Sequence, residues 1–440
     1  MSKSGNTHVA SGILSGGFLY LLSHLMYQFL KRYYFRKISI TGQQHLPTGK
    51  PIILAANHNN AFLDSILLHV SLNQNIYSIA RGDAFNRKLY RYFLRIYHVL
   101  PIYRKSEGSE NLHKNEESFS LASAVLEKNL GPLLIFPEGT CVQEKKVRPL
   151  KKGMARIAFK AAEAKGFEEE IYIVPVGINY SRFTKAFGSI HLAFHHPIKV
   201  SDYRKMYEEN EAKAITSLTR DTELLLKNVV EEALPPLEAP TLITLLKMKK
   251  KELQGIEKIR FCKSINQRID PEKSRALGNA CKEYEKLLKR HKISDGAIAS
   301  IKEKSLGFML YSSLLIALAF PLALLSLIAG GLPMFGGIFL STFIPIGREF
   351  KASFHTAFVF LIILMQSLSV CIIGFSLSFF LPTLAFIILQ FPAMLILREY
   401  AFLCSEFYHT CKLWWLKQAK PLKVKALLNG RREVLSLLNQ

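Results

Sequence analysis

PIILAANHNNAFLDSILLHVSL, residues 51–72, is the stretch on which the fold turns. Pro51–Ala55 is a short uninterrupted apolar run, as a fully buried strand requires. The polar residues Asn57-His58-Asn59-Asn60 follow, and Phe62–Leu72 then carries a helical pattern. Strand, turn and helix place His58 just past the strand and Asp64 at the start of the helix. That is a base–orienter arrangement: a carboxylate bonded to one ring nitrogen fixes the tautomer, and the other nitrogen is free to take a proton from a hydroxyl. A satisfied loop histidine has the same local look, so the pair is decided by what surrounds it.

Working outward, further strand candidates are Ile38–Ile40, Ile76–Ala80, Leu133–Phe136, Ile171–Val176 and Ile190–Phe194, with another helical pattern at Lys152–Lys165. The alternation predicts an α/β layer fold over residues 38–200. Residues 201–305 read as a charged helical connector. Ile215, Leu218, Thr222, Leu225 and Val229 recur at helical spacing there, and Pro235-Pro236 stops that helix.

Beyond the connector the composition changes. No Asp, Glu, Lys or Arg occurs in the 41 residues from Leu306 to Ile346, nor in the 46 from Ala352 to Leu397. Each run is about twice the roughly 20 residues needed to span a bilayer. Each has a break signal near its middle, Ala329–Pro333 and Phe379–Pro382, so the expectation for 306–397 is two helical hairpins with about four spans. The flanks Lys302, Lys304, Arg348, Lys351, Arg398, Lys412, Lys417 and Lys420 then fall on one side, the cytoplasmic one, and leave 398–440 as a basic cytoplasmic tail. Residues 1–37 read as a membrane-anchoring helix that either spans or lies in the interface. Lys31, Arg32, Arg36 and Lys37 follow its apolar part, unlike a cleaved signal peptide, whose charge comes first.

With 58 basic against 34 acidic residues in 440, the formal charge is +24. Disorder is excluded, because 49% of the residues are hydrophobic. Nucleic-acid binding is disfavoured: no recognised module or aromatic-plus-basic pattern accompanies the charge. The charge suits anionic lipid headgroups and phosphorylated substrates instead. Six cysteines without a CxxC pair fit a reducing compartment, and no His or Cys spacing implies a metal.

Three stretches strengthen the reading of His58 and Asp64. Leu100-Pro101-Ile102-Tyr103-Arg104 ends in a guanidinium suited to gripping phosphate. Phe136-Pro137-Glu138-Gly139-Thr140 closes a buried strand with a turn displaying a carboxylate, a flexible backbone and a hydroxyl. Val174-Pro175-Val176 ends another strand. In this order they resemble the PlsC-type glycerolipid acyltransferase superfamily over about residues 35–200. The resemblance implies transfer of a fatty acyl group from acyl-CoA or acyl-carrier protein to a hydroxyl of glycerol-3-phosphate or dihydroxyacetone phosphate. It implies His58 as general base, Asp64 as its orienter, and Arg104 with Glu138, Gly139 and Thr140 as the acceptor site, with no cofactor. Pro175 belongs to the fourth block.

The sequence departs from the common pattern in three places. Five residues separate His58 from Asp64 where four are usual, a spacing that resembles the fungal glycerol-3-phosphate and dihydroxyacetone-phosphate acyltransferases. Cys141 stands where many members have arginine, with Lys145, Lys146, Arg148, Lys151 and Lys152 nearby as replacement charge. His98-Val99 occupies the place of a usual glycine. Acylation of lysophosphatidate is the alternative within the class, and an inactive membrane scaffold or lipid transporter the alternative outside it. Transport would predict ionisable residues within the apolar runs, which have no Asp, Glu, Lys or Arg.

Overall fold

The computed structural model describes residues 25, 28–72, 74–86, 91, 94, 97–103, 112–301 and 306–439. They form two compact units, residues 1–231 and 232–440.

The first unit is built on eight strands: β1 (Phe35–Thr41), β2 (Ile52–Ala56), β3 (Tyr77–Arg81), β4 (Val99–Ile102), β5 (Leu133–Ile135), β6 (Tyr172–Tyr180), β7 (Gly188–Phe194) and β8 (Ile198–Lys199). The order across the sheet is β1-β7-β6-β2-β5-β3-β4, with β8 also on β6. β2 lies centrally and parallel to both neighbours, Ile53 registering with Leu133 on one side and Ile173 on the other. All five of its residues are buried, as expected where both faces of a parallel sheet are covered. Helices α1 (Ala61–Leu72), α2 (Leu112–Glu127), α3 (Gly153–Ala164) and α4 (Glu211–Lys227) belong to the same unit. α3 and α4 share one core, with Ile157, Ala158 and Ala161 from the first and Ala214, Ile215 and Leu218 from the second. The α/β unit therefore runs past residue 200, to 231.

Pro175 does not end a strand: β6 continues to Tyr180. The proline sits where β6 changes partners, pairing with β8 at Tyr172–Ile173 and with β7 from Val176 onward. A missing backbone donor is tolerated at such a junction. β4 is a strand the sequence did not declare, and its Pro101 is allowed because β4 is the sheet edge. Most of the expected N-terminal anchoring helix lies outside the described residues. Its end is helical, and Phe29, Leu30, Tyr33 and Tyr34 are buried.

In the second unit, α5 (Ala239–Met248), α6 (Ile256–Arg268), α7 (Pro271–His291) and α13 (Pro421–Asn439) close around Leu242, Leu245, Leu277, Tyr284 and Val434. Connector and C-terminal tail thus fold together. α8 (Asp295–Ala299) joins through Asp295, which accepts from Tyr284 Oη at 2.7 Å and Arg431 Nε at 3.0 Å. Between them come α9 (Leu306–Ser326), α10 (Leu332–Phe343), α11 (Lys351–Ser376) and α12 (Phe380–Ala419).

The expected break at Ala329–Pro333 is helical. A π-helical turn at Leu327–Gly331 links α9 to α10, and Leu306–Phe343 is one 38-residue helix. Pro333 would clash with the carbonyl four residues back, Ala329, and the wider π turn accommodates it. The glycines serve packing instead of a turn: a Cβ on Gly330 would lie 2.6 Å from Met394 N of α12. The second break is real, since the helix stops after Ser376 and Ser378 has φ 58°. Among the described residues there are therefore three helices long and apolar enough to cross a membrane, where four spans were expected.

Candidate active site

The chain leaves β2 through Asn57, whose side chain acts as one more rung of the sheet. Its Oδ1 accepts from Ile178 N at 2.6 Å and its Nδ2 donates to Ile178 O at 3.2 Å. That clamp to β6 fixes the point where His58 departs. Glu138 Oε1 accepts from His58 N at 3.3 Å, and His58 O accepts from Val142 N at 3.1 Å. The imidazole lies flat on Phe136, ring centres 3.9 Å apart and planes 14° apart.

Asp64 is fully buried in the first turn of α1, where the helix dipole favours a carboxylate. Its Oδ2 accepts from His58 Nδ1 at 2.9 Å and from the backbone N–H groups of Asn59 and Asn60, both at 2.8 Å. Its Oδ1 accepts from Tyr180 Oη at 2.6 Å. Four donors compensate a charge that would otherwise be too costly to bury. An acceptor-only carboxylate also requires the proton on His58 Nδ1, so Nε2 carries the lone pair. The imidazole is 17% exposed, which leaves Nε2 as the nitrogen a substrate can reach. Tyr180 is buried, and burial together with the Asp64 charge pushes its hydroxyl well above the ordinary tyrosine range, so it stays a donor.

Past β5 the chain turns at Gly139, with φ 72° and its N–H bonded to Phe136 O at 3.0 Å. Glu138 points inward and is buried. Burial raises its pKa, opposed by Arg148 and by the His58 N–H. Arg148 Nε donates to Glu138 Oε2 at 3.0 Å, while Nη1 and Nη2 donate to Thr140 Oγ1 and Thr140 O, both at 2.7 Å. One guanidinium therefore braces the turn seven positions downstream of Cys141. Lys145 is used differently: it is buried, donating to Tyr180 O at 2.8 Å and pairing with Glu231 at 2.5 Å.

The structure thus brings His58, Asp64, Glu138, Gly139 and Thr140 together at the carboxyl ends of β2 and β5, where α/β sheets hold ligands. Arg104 lies outside the described residues; β4 ends at Ile102 just before it. Tyr180 and the bracing role of Arg148 were not read from sequence, for Tyr180 meets Asp64 across 116 positions. Among the described residues, no three His, Cys, Asp or Glu side chains form a group suited to a metal.

Residues 37–179 match the acyltransferase family model, a span that contains the whole of this arrangement. The chain carries an acyltransferase domain. The protein is accordingly an acyltransferase enzyme, its α/β domain followed, among the described residues, by three long apolar helices. The crystal structure of the 1-acyl-sn-glycerophosphate (LPA) acyltransferase PlsC from Thermotoga maritima is similar at 19% identity, over 49% of this chain and 89% of that one, with a TM-score of 0.33. No match is found among curated proteins. Within the matched span, His58 and Asp64 form a hydrogen-bonded pair, and the Phe136–Thr140 turn stands beside it.

Proposed function

We propose that the protein is a membrane-bound O-acyltransferase that moves a fatty acyl group from acyl-CoA or acyl-carrier protein to a hydroxyl of glycerol-3-phosphate or dihydroxyacetone phosphate. The observation that carries this reading is the commitment of His58 Nδ1 to a buried carboxylate, which presents Nε2 as a base on a partly exposed ring. His58 Nε2 takes the acceptor hydroxyl proton as the oxygen attacks the thioester carbonyl. The tetrahedral intermediate collapses, expelling thiolate, which receives that proton from His58. Asp64 stabilises the transient imidazolium. General-base catalysis of this kind supplies about 10²–10⁴-fold, and proximity and oxyanion donors supply the rest.

Arg104 and the Thr140 turn, with the adjacent charge of Arg148, receive the acceptor phosphate. Glu138 serves from beneath by holding the His58 N–H and Arg148. The five-residue spacing between His58 and Asp64 favours the fungal-type acceptors over lysophosphatidate. Lys31 and Arg32 before the domain, and Lys302 and Lys304 before the apolar helices, favour its placement on the cytoplasmic face.

The test offers purified enzyme glycerol-3-phosphate, dihydroxyacetone phosphate and lysophosphatidate in parallel, with each donor. Turnover confined to lysophosphatidate would overturn the acceptor assignment. Near-normal turnover by His58→Ala would overturn the mechanism.

A further inference from the structure

The two carboxylate oxygens of Asp64 serve different parts of the chain. Oδ2 takes the His58 Nδ1–H and the N–H groups of Asn59 and Asn60, all from the turn that leads into α1. Oδ1 takes the Tyr180 hydroxyl at 2.6 Å, from the last residue of β6. Local chain geometry accounts for the first three donors. The fourth is delivered by the sheet.

Tyr180 is fixed at its other points of contact. Its ring lies against Phe35 and Phe183, with centres 6.1 and 6.2 Å away. Its carbonyl accepts from Lys145 Nζ at 2.8 Å, and Ile190 of β7 is its partner across the ladder. Two positions earlier, Ile178 carries the Asn57 clamp, so one strand fixes both where His58 departs and where the phenol ends. The bond to Asp64 is at the short end of the O–H···O range, as expected for an ionised acceptor.

A donor on a carboxylate draws on the charge that the carboxylate offers its other partners. Asp64 must fix the tautomer of His58 and steady the imidazolium, yet an imidazole that holds its proton too firmly is no longer a base. The fourth donor bears on that balance from the oxygen that His58 does not use.

We propose that Tyr180 is a positioning residue for the acyl transfer: its hydroxyl holds back part of the Asp64 charge and so keeps His58 available as a neutral base toward lower pH. The proposal rests on the reading of His58 as the general base and holds for any of the acceptors. Other charged and titratable groups stand nearby. Glu138, paired with Arg148, faces the His58 backbone from the turn after β5. Lys145, paired with Glu231, lies behind Tyr180, and Tyr34 acts on Tyr180 from the segment before β1. All of them are retained when only position 180 is changed.

The test measures kcat/KM of the full-length enzyme, per folded protein, from about pH 8.5 down to about pH 5.5. Two variants are compared with the native enzyme: Tyr180→Phe, and a protein with Tyr180 replaced by a tyrosine fluorinated beside its hydroxyl. Taking each variant as a ratio to native cancels the titration of the acceptor phosphate. Without the donor, His58 should stay protonated about half a pH unit higher, so the Tyr180→Phe ratio should fall about threefold toward the acid end. The fluorinated phenol has nearly the same shape and is a stronger donor, and its ratio should rise toward the acid end. A merely structural tyrosine would lower the rate equally at every pH, and ratios that do not change with pH would overturn the proposal. So would changes in the reverse order. If Tyr180→Phe does not fold, the fluorinated protein decides alone. His58→Ala keeps the two claims apart: turnover in that variant would sink the reading of His58 as base. An inactive His58→Ala with ratios independent of pH would sink only the role of Tyr180.

Discussion

Arg148→Gln tests how the turn after β5 is held. The substitution removes three bonds: one to a carboxylate whose side chain is 3% exposed, and two to Thr140. A hydrogen bond to a charged group contributes about 1.5–3 kcal/mol. Arg148 is itself 23% exposed, so solvent screening places the Glu138 bond near the lower end. Thr140 can bond water instead and adds little. The loss is about 2 kcal/mol, or about 30-fold in kcat/KM if the turn must keep its geometry.

The pH dependence gives the sharper signature. The Glu138 pKa is already raised by burial, and Arg148 is the strongest influence opposing that shift. Without Arg148 it rises further, and the ionised form that accepts the His58 N–H is lost at higher pH. Activity of the variant should therefore fall more at pH 6 than at pH 8, relative to the native enzyme. Stability should move the other way. A carboxyl with a raised folded pKa favours folding below the unfolded value and loses that contribution as pH rises through the folded one. The variant should be less stable at pH 8 than at pH 6, and Arg148→Lys should restore only part of the rate, lacking the fork. Steady-state rates and thermal unfolding across pH 6–9 read both effects. A rate loss equal at every pH, or full activity in Arg148→Lys, would refute the reasoning.

The other predictions concern the groups around Asp64 and the turn. Asp64→Asn should reduce kcat by about 10²–10⁴-fold with the protein still folded, measured as acyl transfer per folded enzyme. Tyr180→Phe deletes one donor to a buried carboxylate and should cost about 1.5–3 kcal/mol, read from denaturant midpoints. The raised Tyr180 pKa also means that native protein loses stability above about pH 10, where an unfolded tyrosine ionises and the buried one does not; Tyr180→Phe should blunt that alkaline loss. Lys145→Met strands the buried Glu231 charge and should cost about 3–5 kcal/mol, while adding Glu231→Gln should recover much of it in thermal melts. Gly139→Ala places a Cβ at φ 72° and should cost about 1–2 kcal/mol.

What the sequence could disclose follows from the range of the interactions. β2 and α1 were legible because an apolar run and a helical pattern are local, and His58 and Asp64 because a turn joins them. β4 was harder: four residues containing Pro101 do not look like a strand, and only their place at the sheet edge makes them one. Tyr180 was not legible, because an alternating strand gives no reason for its hydroxyl to end on Asp64. The Gly330-Gly331 and Pro333 signals were misread because glycine marks both a turn and a close helix contact. What separates the two is the neighbour, here Ala393–Met394, more than 60 positions away.

The same distinction bears on the spacing between His58 and Asp64. Counted along the chain, a fifth intervening residue ought to move the carboxylate off the imidazole, since one added helical position rotates a side chain by about 100°. Here the pair stays in contact: helix α1 begins only at Ala61, and Asn59 and Asn60 lie in the turn between His58 and the helix. Those two residues then do more than fill space: both aim their N–H groups at Asp64 Oδ2, the oxygen that holds His58 Nδ1. Asn60 also accepts from Gln143 Nε2 at 2.8 Å, tying the turn to the segment after Thr140. At this spacing the pair stays within hydrogen-bond reach and the carboxylate accepts two backbone N–H groups besides the imidazole. The geometry to compare across acyltransferases is the set of groups around the aspartate, since the residue count alone does not report it.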